Sequence, residues 1–137
     1  MANSFGDSEG RALALVGTRF RLHGRDAGHG LDCVGLAAAA FGLTGVPTGY
    51  RLRNADGGRL RAELGRLGFV ACEDGAQRPG ALLVMQAGPG QLHLGVRTAR
   101  GLVHADLGLG RVVEVPTVPW PVVRVFGLAD EVFAERT

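Results

Sequence analysis

Apolar positions recur at helical spacing through the first half of the chain and at strand spacing through the second. A polar start followed by the apolar run Ala12–Val16 predicts a first helix from about Ser8 to Val16, capped by Ser8 or Asp7. The stretch from Gly17 to Gly30, rich in Gly, Arg and His, reads as loop. A second helix starts near Asp32–Cys33 and runs to Phe41, where Gly42 stops it. Val34, Ala37, Ala38 and Phe41 fall at i, i+3, i+4 and i+7 and form one apolar face. The small residues from Gly35 to Ala40 predict close packing against a neighbour. Gly42 to Gly58 reads as a surface connection. A third helix covers about Arg59 to Leu67, with Leu60, Leu64 and Leu67 inward and Arg59, Arg61, Glu63 and Arg66 solvated; Gly68 ends it.

Beyond Gly68 the period changes to that of strands. Candidate strands are Phe69–Cys72, Ala81–Met85 (entered through the Pro79–Gly80 turn), Gln91–Arg97, Leu102–Asp106, Arg111–Val115 and Val122–Phe126. Helices first and strands later predict an α+β fold, with N-terminal helices on a mostly antiparallel sheet of five to six strands. No internal repeat or linker marks a boundary, so residues 1–137 read as one domain.

Composition adds exclusions. With 137 residues and 46% of them hydrophobic, the chain can bury a core without a structural metal or disulfide. Net charge is +2, which does not suggest a nucleic-acid partner. Every basic residue is arginine, so lysine-based nucleophiles and Schiff bases are excluded; the bias reads as a genome rich in G and C. No apolar run reaches the ~18 residues of a membrane span, and the polar Met1–Gly10 start does not resemble a signal peptide. The expectation is a protein made in the cytoplasm and not inserted in a membrane. Cys33 and Cys72 fit no metal-ligand spacing and read as two free thiols; no cofactor is implied.

The candidate chemistry gathers around Cys33 and His93. Cys33 follows Asp32 at a helix start, where unpaired N–H groups and the helix dipole favour a thiolate. In Gln91-Leu-His-Leu-Gly-Val-Arg97, Leu92, Leu94 and Val96 point to one face, and His93 and Gly95 to the other. Thr98-Ala-Arg-Gly101 reads as a hairpin connection. If Thr98 pairs with Gly101, Gly95 lies opposite His104 and Asp106 opposite His93. That register gathers His93, His104 and Asp106 on one face, with Asp106 as an alternative to His104 for orienting the base. Cys72 reads as a core thiol and Trp120 as a packing anchor for the last strand. Arg51, Arg53, Arg59, Arg61 and Arg66 read as a solvated face.

Gly30-Leu-Asp-Cys-Val-Gly-Leu36 resembles the D-C-S-G nucleophile motif of the NlpC-type cell-wall endopeptidases, compact relatives of papain. The resemblance includes Val16-Gly-Thr-Arg-Phe-Arg-Leu22, Arg78-Pro-Gly-Ala-Leu-Leu-Val84, His93-Leu-Gly-Val96 and Leu102-Val-His-Ala105, spanning about Arg11 to Val115 in the family's order. It implies a papain-like fold with Cys33 as nucleophile, His93 as general base and His104 as orienter. The backbone N–H of Cys33 would serve the oxyanion. Phe20, His23, Arg25 and Asp32 are the neighbouring candidates for oxyanion or substrate positioning, and His29 shares their loop. The implied reaction is hydrolysis of a peptidoglycan stem-peptide amide, between D-glutamate and a diamino acid. The sequence departs from the family at Phe20, where tyrosine is common, at Val34, where serine follows the cysteine, and at Ala81, where an acidic residue is usual. The short form, closing on Val112-Val-Glu-Val-Pro116 and Trp120-Pro-Val-Val-Arg124, is similar to peptidases of phage tails and gene-transfer particles. This implies particle proteins as partners and action on the wall from a virion-like tail. Two alternatives stay open: a structural or binding component of a tail tip on the same fold, and a cytoplasmic amidase of small γ-glutamyl peptides.

Overall fold

The computed structural model describes residues 4–46 and 57–136. Their strands form a six-stranded antiparallel sheet, β3 (Phe69–Ala71), β4 (Leu82–Gly88), β5 (Gln91–Arg97), β6 (Leu102–Asp106), β7 (Arg111–Val115) and β8 (Val122–Leu128), in the order β3-β8-β4-β5-β6-β7. Consecutive strands β4 to β7 are neighbours joined by short connections, while β8 returns to insert between β3 and β4. The helices are α1 (Phe5–Ala14), α2 (Cys33–Ala40), α3 (Gly57–Arg66) and α4 (Ala129–Arg136). The architecture is α+β, as the change of period predicts. The expected positions Arg51 and Arg53 lie outside the described residues.

Alternation along the strands divides the core in two. Leu92, Leu94 and Val96 join Cys33, Leu36, Ala40 and Phe41 on the face that carries α2. Leu83, Met85, Leu102 and Val125 line the opposite face, packed with Phe5 and Val132, with Trp120 and Val118 against them.

Helix α1 starts one turn earlier than the expected Ser8. The Ser4 hydroxyl accepts from the Asp7 N–H at 3.1 Å, and the Asp7 carboxylate accepts from the Ser4 N–H at 3.0 Å. This capping box satisfies end amides with local side chains, so the helix begins where polar groups can close it, ahead of the first apolar run.

Helix α2 departs from the expected single apolar face. Every residue from Cys33 to Ala38, and Ala40, is buried, because α1, the β5–β6 part of the sheet and a small hairpin cover it from different sides. That hairpin, β1 (Arg25–Asp26) paired with β2 (Gly30–Leu31), lies where a loop is expected. Upstream of it, Gly17 donates to the Val112 carbonyl at 2.8 Å and Phe20 to Gly110 at 2.9 Å. The segment thus covers polar groups that β7 would otherwise leave bare at the sheet edge. Gly35 is required by contact: a Cβ there would sit 2.0 Å from the Gly24 carbonyl oxygen. The small side chains of α2 do mark close packing.

Helix α4 is absent from the sequence expectation. Its segment, Ala-Asp-Glu-Val-Phe-Ala-Glu-Arg, presents no sustained apolar stripe. It is held instead through Glu131, 1% exposed, which accepts from the Leu128 N–H at 2.7 Å and lies in hydrogen-bond contact with the Ser8 hydroxyl at 3.0 Å.

Candidate active site

Asp32 builds the start of α2. As N-cap it accepts from the Gly35 N–H at 2.8 Å. The same carboxylate accepts from the Arg25 guanidinium at 2.8 Å and from the His23 N–H at 2.8 Å. His23 reaches that geometry at φ 61°, a left-handed conformation uncommon outside glycine. Arg25 is thereby directed at Asp32, and His23 contributes its amide while its ring is exposed. Together they fix the direction of the first turn and hold Cys33 at its N-terminal end.

His93 and His104 meet as the hairpin register predicts. Thr98 N–H donates to the Gly101 carbonyl at 2.9 Å, and Val96 pairs with Val103 and Arg97 with Leu102. The registered pairing ends there, short of the expected Gly95–His104 and His93–Asp106 pairs, and the two histidine rings meet just beyond it. His93 Nε2 and His104 Nδ1 lie 3.0 Å apart. Asp106 makes no hydrogen bond to either ring; its Oδ1 accepts from the Leu109 N–H at 3.0 Å. Of the two expected orienters, His104 is the one in contact.

Trp120 completes a cluster of rings. Its centroid is 5.1 Å from that of His93 and 5.2 Å from that of His104, edge to face in both cases. The indole packs beside the bond between the histidines. Sequence reading places Trp120 as an anchor of the last strand, and it does pack on the core there. Its contact with the histidines depends on β8 lying beside β4, a pairing that no local pattern encodes.

The thiol and the histidines approach the sheet from opposite faces. Cys33 belongs to the α2 side, whereas His93 pairs with Met85 on the other. What links them is the end of the β5–β6 ladder. Registered pairing stops at Val96 with Val103, and the next outward amide on β5, that of Leu94, donates to the Cys33 sulfur. The sulfur thus lies against the β5 backbone one residue from His93.

Burial dominates the charges here. It pushes the Cys33 thiol up to about 12, against the Leu94 N–H, while Asp32 raises it further and Arg25 opposes. The expected lowering at a helix N-terminus is overturned, because a thiol 9% exposed loses more in desolvation than the helix end returns. Burial also brings His93 down to about 4, helped by repulsion from His104 and opposed by Asp106. His104 is lowered too, again chiefly by burial, with Asp106 and the Ala105 backbone opposing.

The remaining candidates are placed as follows. Phe20 packs against the α2-side core and bridges Leu31 next to the nucleophile segment. Val34 and Ala81 are buried. His29 forms an exposed pair with Asp26 at 2.7 Å. Cys72 is buried, and both cysteines are free thiols. Among the described residues, no group of three or more His, Cys, Asp or Glu is placed to hold a metal ion, and no helix is long and apolar enough to cross a membrane.

The six-stranded antiparallel sheet with its helices is an α+β fold of the NlpC/P60 kind. The chain is similar in structure to the crystallised P60 domain of an antigen from M. avium subspecies paratuberculosis, with a TM-score of 0.53 at 18% identity over 93% of this chain and 95% of that one. No protein-family model matches the chain, and no curated protein matches it.

Proposed function

We propose that the chain is a cysteine peptidase that hydrolyses amide bonds in peptidoglycan stem peptides. The observation that carries the reading is the 3.0 Å contact between His93 Nε2 and His104 Nδ1, one residue along from the amide that holds the Cys33 sulfur. That contact uses Nε2 and leaves His93 Nδ1 to act on the thiol. For Nδ1 to accept a proton, Nε2 must carry one and donate it to His104 Nδ1, so His104 fixes the tautomer of the base.

With thiol and imidazole both neutral at rest, the proton passes from Sγ to His93 Nδ1 as sulfur attacks the scissile carbonyl carbon. The Cys33 N–H at the α2 start would donate to the developing oxyanion. The imidazolium then protonates the leaving amine, and the thioester is hydrolysed by a water that His93 deprotonates. Arg25, Asp32 and the His23 backbone position the helix start; Phe20 borders the site where a tyrosine hydroxyl would add a polar contact.

At finer grain, we place the cut between D-glutamate and the diamino acid. We take a phage-tail or gene-transfer particle as the setting, on the likeness of the closing Val112–Pro116 and Trp120–Arg124 segments. Mass spectrometry of purified muropeptides tests the reading. The native protein should release cleaved stems and Cys33→Ala should release none; products persisting with Cys33→Ala would refute the assignment. A second reading, a tail-tip binding component with a silent site, draws support from the thiol pushed up to about 12 and from Phe20. It expects intact muropeptides with the native protein and retention of a particle protein in its place.

A further inference from the structure

The sheet carries a row of side chains that leads away from His93 and ends in two arginines whose guanidinium groups have no partner among the described residues. On one face stand Met85, His93, Asp106, Arg111 and Arg19. Met85 pairs with His93, Asp106 pairs with Arg111, and Arg111 bridges Arg19; between His93 and Asp106 the registered pairing has ended, and the two are linked through charge, Asp106 favouring the protonated His93 ring. The bonds from Phe20 N–H to the Gly110 carbonyl at 2.9 Å and from Val112 N–H to the Thr18 carbonyl at 2.8 Å flank the arginine pair rather than join it. It is therefore a non-hydrogen-bonded pair, the type in which opposed side chains stand closest.

Two like charges directly opposite each other destabilise a sheet. The nearest carboxylate, Asp106 opposite Arg111, forms no ion pair with it. Both arginines are exposed, and neither guanidinium has a hydrogen bond or ion pair among the described residues. Asp106, the acidic neighbour in the row, turns its Oδ1 to the Leu109 N–H instead. Arg21, two positions beyond Arg19 and also exposed, adds a third positive charge on the same side of its segment. Phe20, between them, faces the α2-side core.

We propose that Arg19 and Arg111 form a carboxylate subsite for the peptide substrate; this deepens the hydrolase reading and rests on it for the location of the reacting centre. Guanidinium groups bind carboxylates through paired N–H donors, and two side by side suit one anionic group. The spacing favours a peptide carboxylate over a charged polymer lying anywhere on the surface. Neighbouring paired strands are about 4.8 Å apart, so Arg111 stands roughly 10 Å or more and Arg19 roughly 15 Å or more from His93. An extended chain covers about 3.4 Å per residue, so the subsite meets a carboxylate about three to four residues from the scissile amide.

The test uses a synthetic stem peptide with a free carboxylate at that distance and its carboxamide twin. Each is titrated calorimetrically into Cys33→Ala protein, and into the same protein carrying Arg19→Gln and Arg111→Gln. The acid should bind at least tenfold more tightly than the amide, and the double substitution should erase that difference. Its melting temperature should be unchanged or higher, since a repulsion has been removed. Equal binding of the twins, a preference surviving the double substitution, or no binding of either overturns the proposal. So does a glycerol-phosphate polymer that binds through these arginines while the twins bind alike. Binding is read apart from turnover. An acid preference with no cleavage by the native protein would sink the hydrolase reading and leave the subsite standing, and cleavage without the preference would sink the subsite alone.

Discussion

Burial pushes the Cys33 thiol up to about 12 and brings the His93 ring down to about 4, so near neutral pH both stand uncharged. Cys33 then differs from a cysteine whose thiolate is already formed. Its alkylation by iodoacetamide at pH 7 should be roughly a thousandfold slower than that of a free thiol, and should keep rising with pH beyond 10. A rate that levels off near pH 8, followed by mass spectrometry, would show a preformed thiolate and contradict this. In the proposed mechanism neutral His93 is the form that accepts the proton, so the acid limb of kcat/KM should lie near pH 4 rather than at the ordinary histidine value. Trp120 helps to set that limb by covering both rings. Trp120→Ala admits water, which favours the charged imidazolium, so the limb should move up by roughly one pH unit. Trp120→Phe should leave it nearly in place. A limb unmoved in the alanine variant would mean that the indole does not contribute to the burial of the pair.

At the scale of elements, the start of α2 is where sequence and packing meet most closely. Asp32 caps the helix, binds Arg25 and holds the His23 amide at once. Asp32→Ala should lower unfolding stability by about 2–4 kcal/mol, beyond the ~1 kcal/mol of a typical cap, because a largely buried guanidinium loses its carboxylate. Asp32→Asn keeps an acceptor for Gly35 and should cost about half as much; urea unfolding of the two variants would separate cap from charge. The Asp32–Cys33 helix start was legible because a capping residue precedes an apolar run. Strands β5, β6 and β7 were legible to the residue because alternation and turn chemistry agree there, and that agreement also delivered the contact of His93 with His104. The Ser4-to-Asp7 capping box carried its own signal, which an apolar-period reading passes over. The β1–β2 hairpin and the cover on β7 were not legible, since isolated bridges and two-residue strands are fixed by their neighbours. The rise of the Cys33 thiol was hidden for the same reason: a helix start is local, whereas burial by α1, the hairpin and the sheet is not.

Over the whole molecule, the two ends of the described chain are tied through one buried cluster. The Ser8 hydroxyl lies 2.8 Å from the Gly80 carbonyl, 3.0 Å from Glu131 Oε2 and 3.1 Å from the Phe5 carbonyl. A hydroxyl has one proton to give. If it goes to Gly80, the Glu131 contact is best made with a protonated carboxyl donating to Ser8. Burial raises Glu131 above the ordinary glutamate value, with Asp130 adding to the rise and the Leu128 N–H, Ser8 and Arg11 opposing. The folded chain therefore holds this proton more firmly than the unfolded one. The stability it contributes is fully present below the ordinary glutamate value and is lost as pH rises through the raised one. Glu131→Gln supplies a permanent N–H for Ser8 and an oxygen for Leu128 without any proton to lose. It should match the parent's melting temperature in acid and exceed it once the pH passes the raised value, flattening the slope between. Glu131→Ala removes both partners and should cost about 2–3 kcal/mol at every pH. A Gln variant that follows the parent's pH profile step for step would place the proton elsewhere. Because Gly80 lies on the turn into β4, which β8 and β5 flank, the latch joins α1 and α4 to the centre of the sheet whose next strand presents His93.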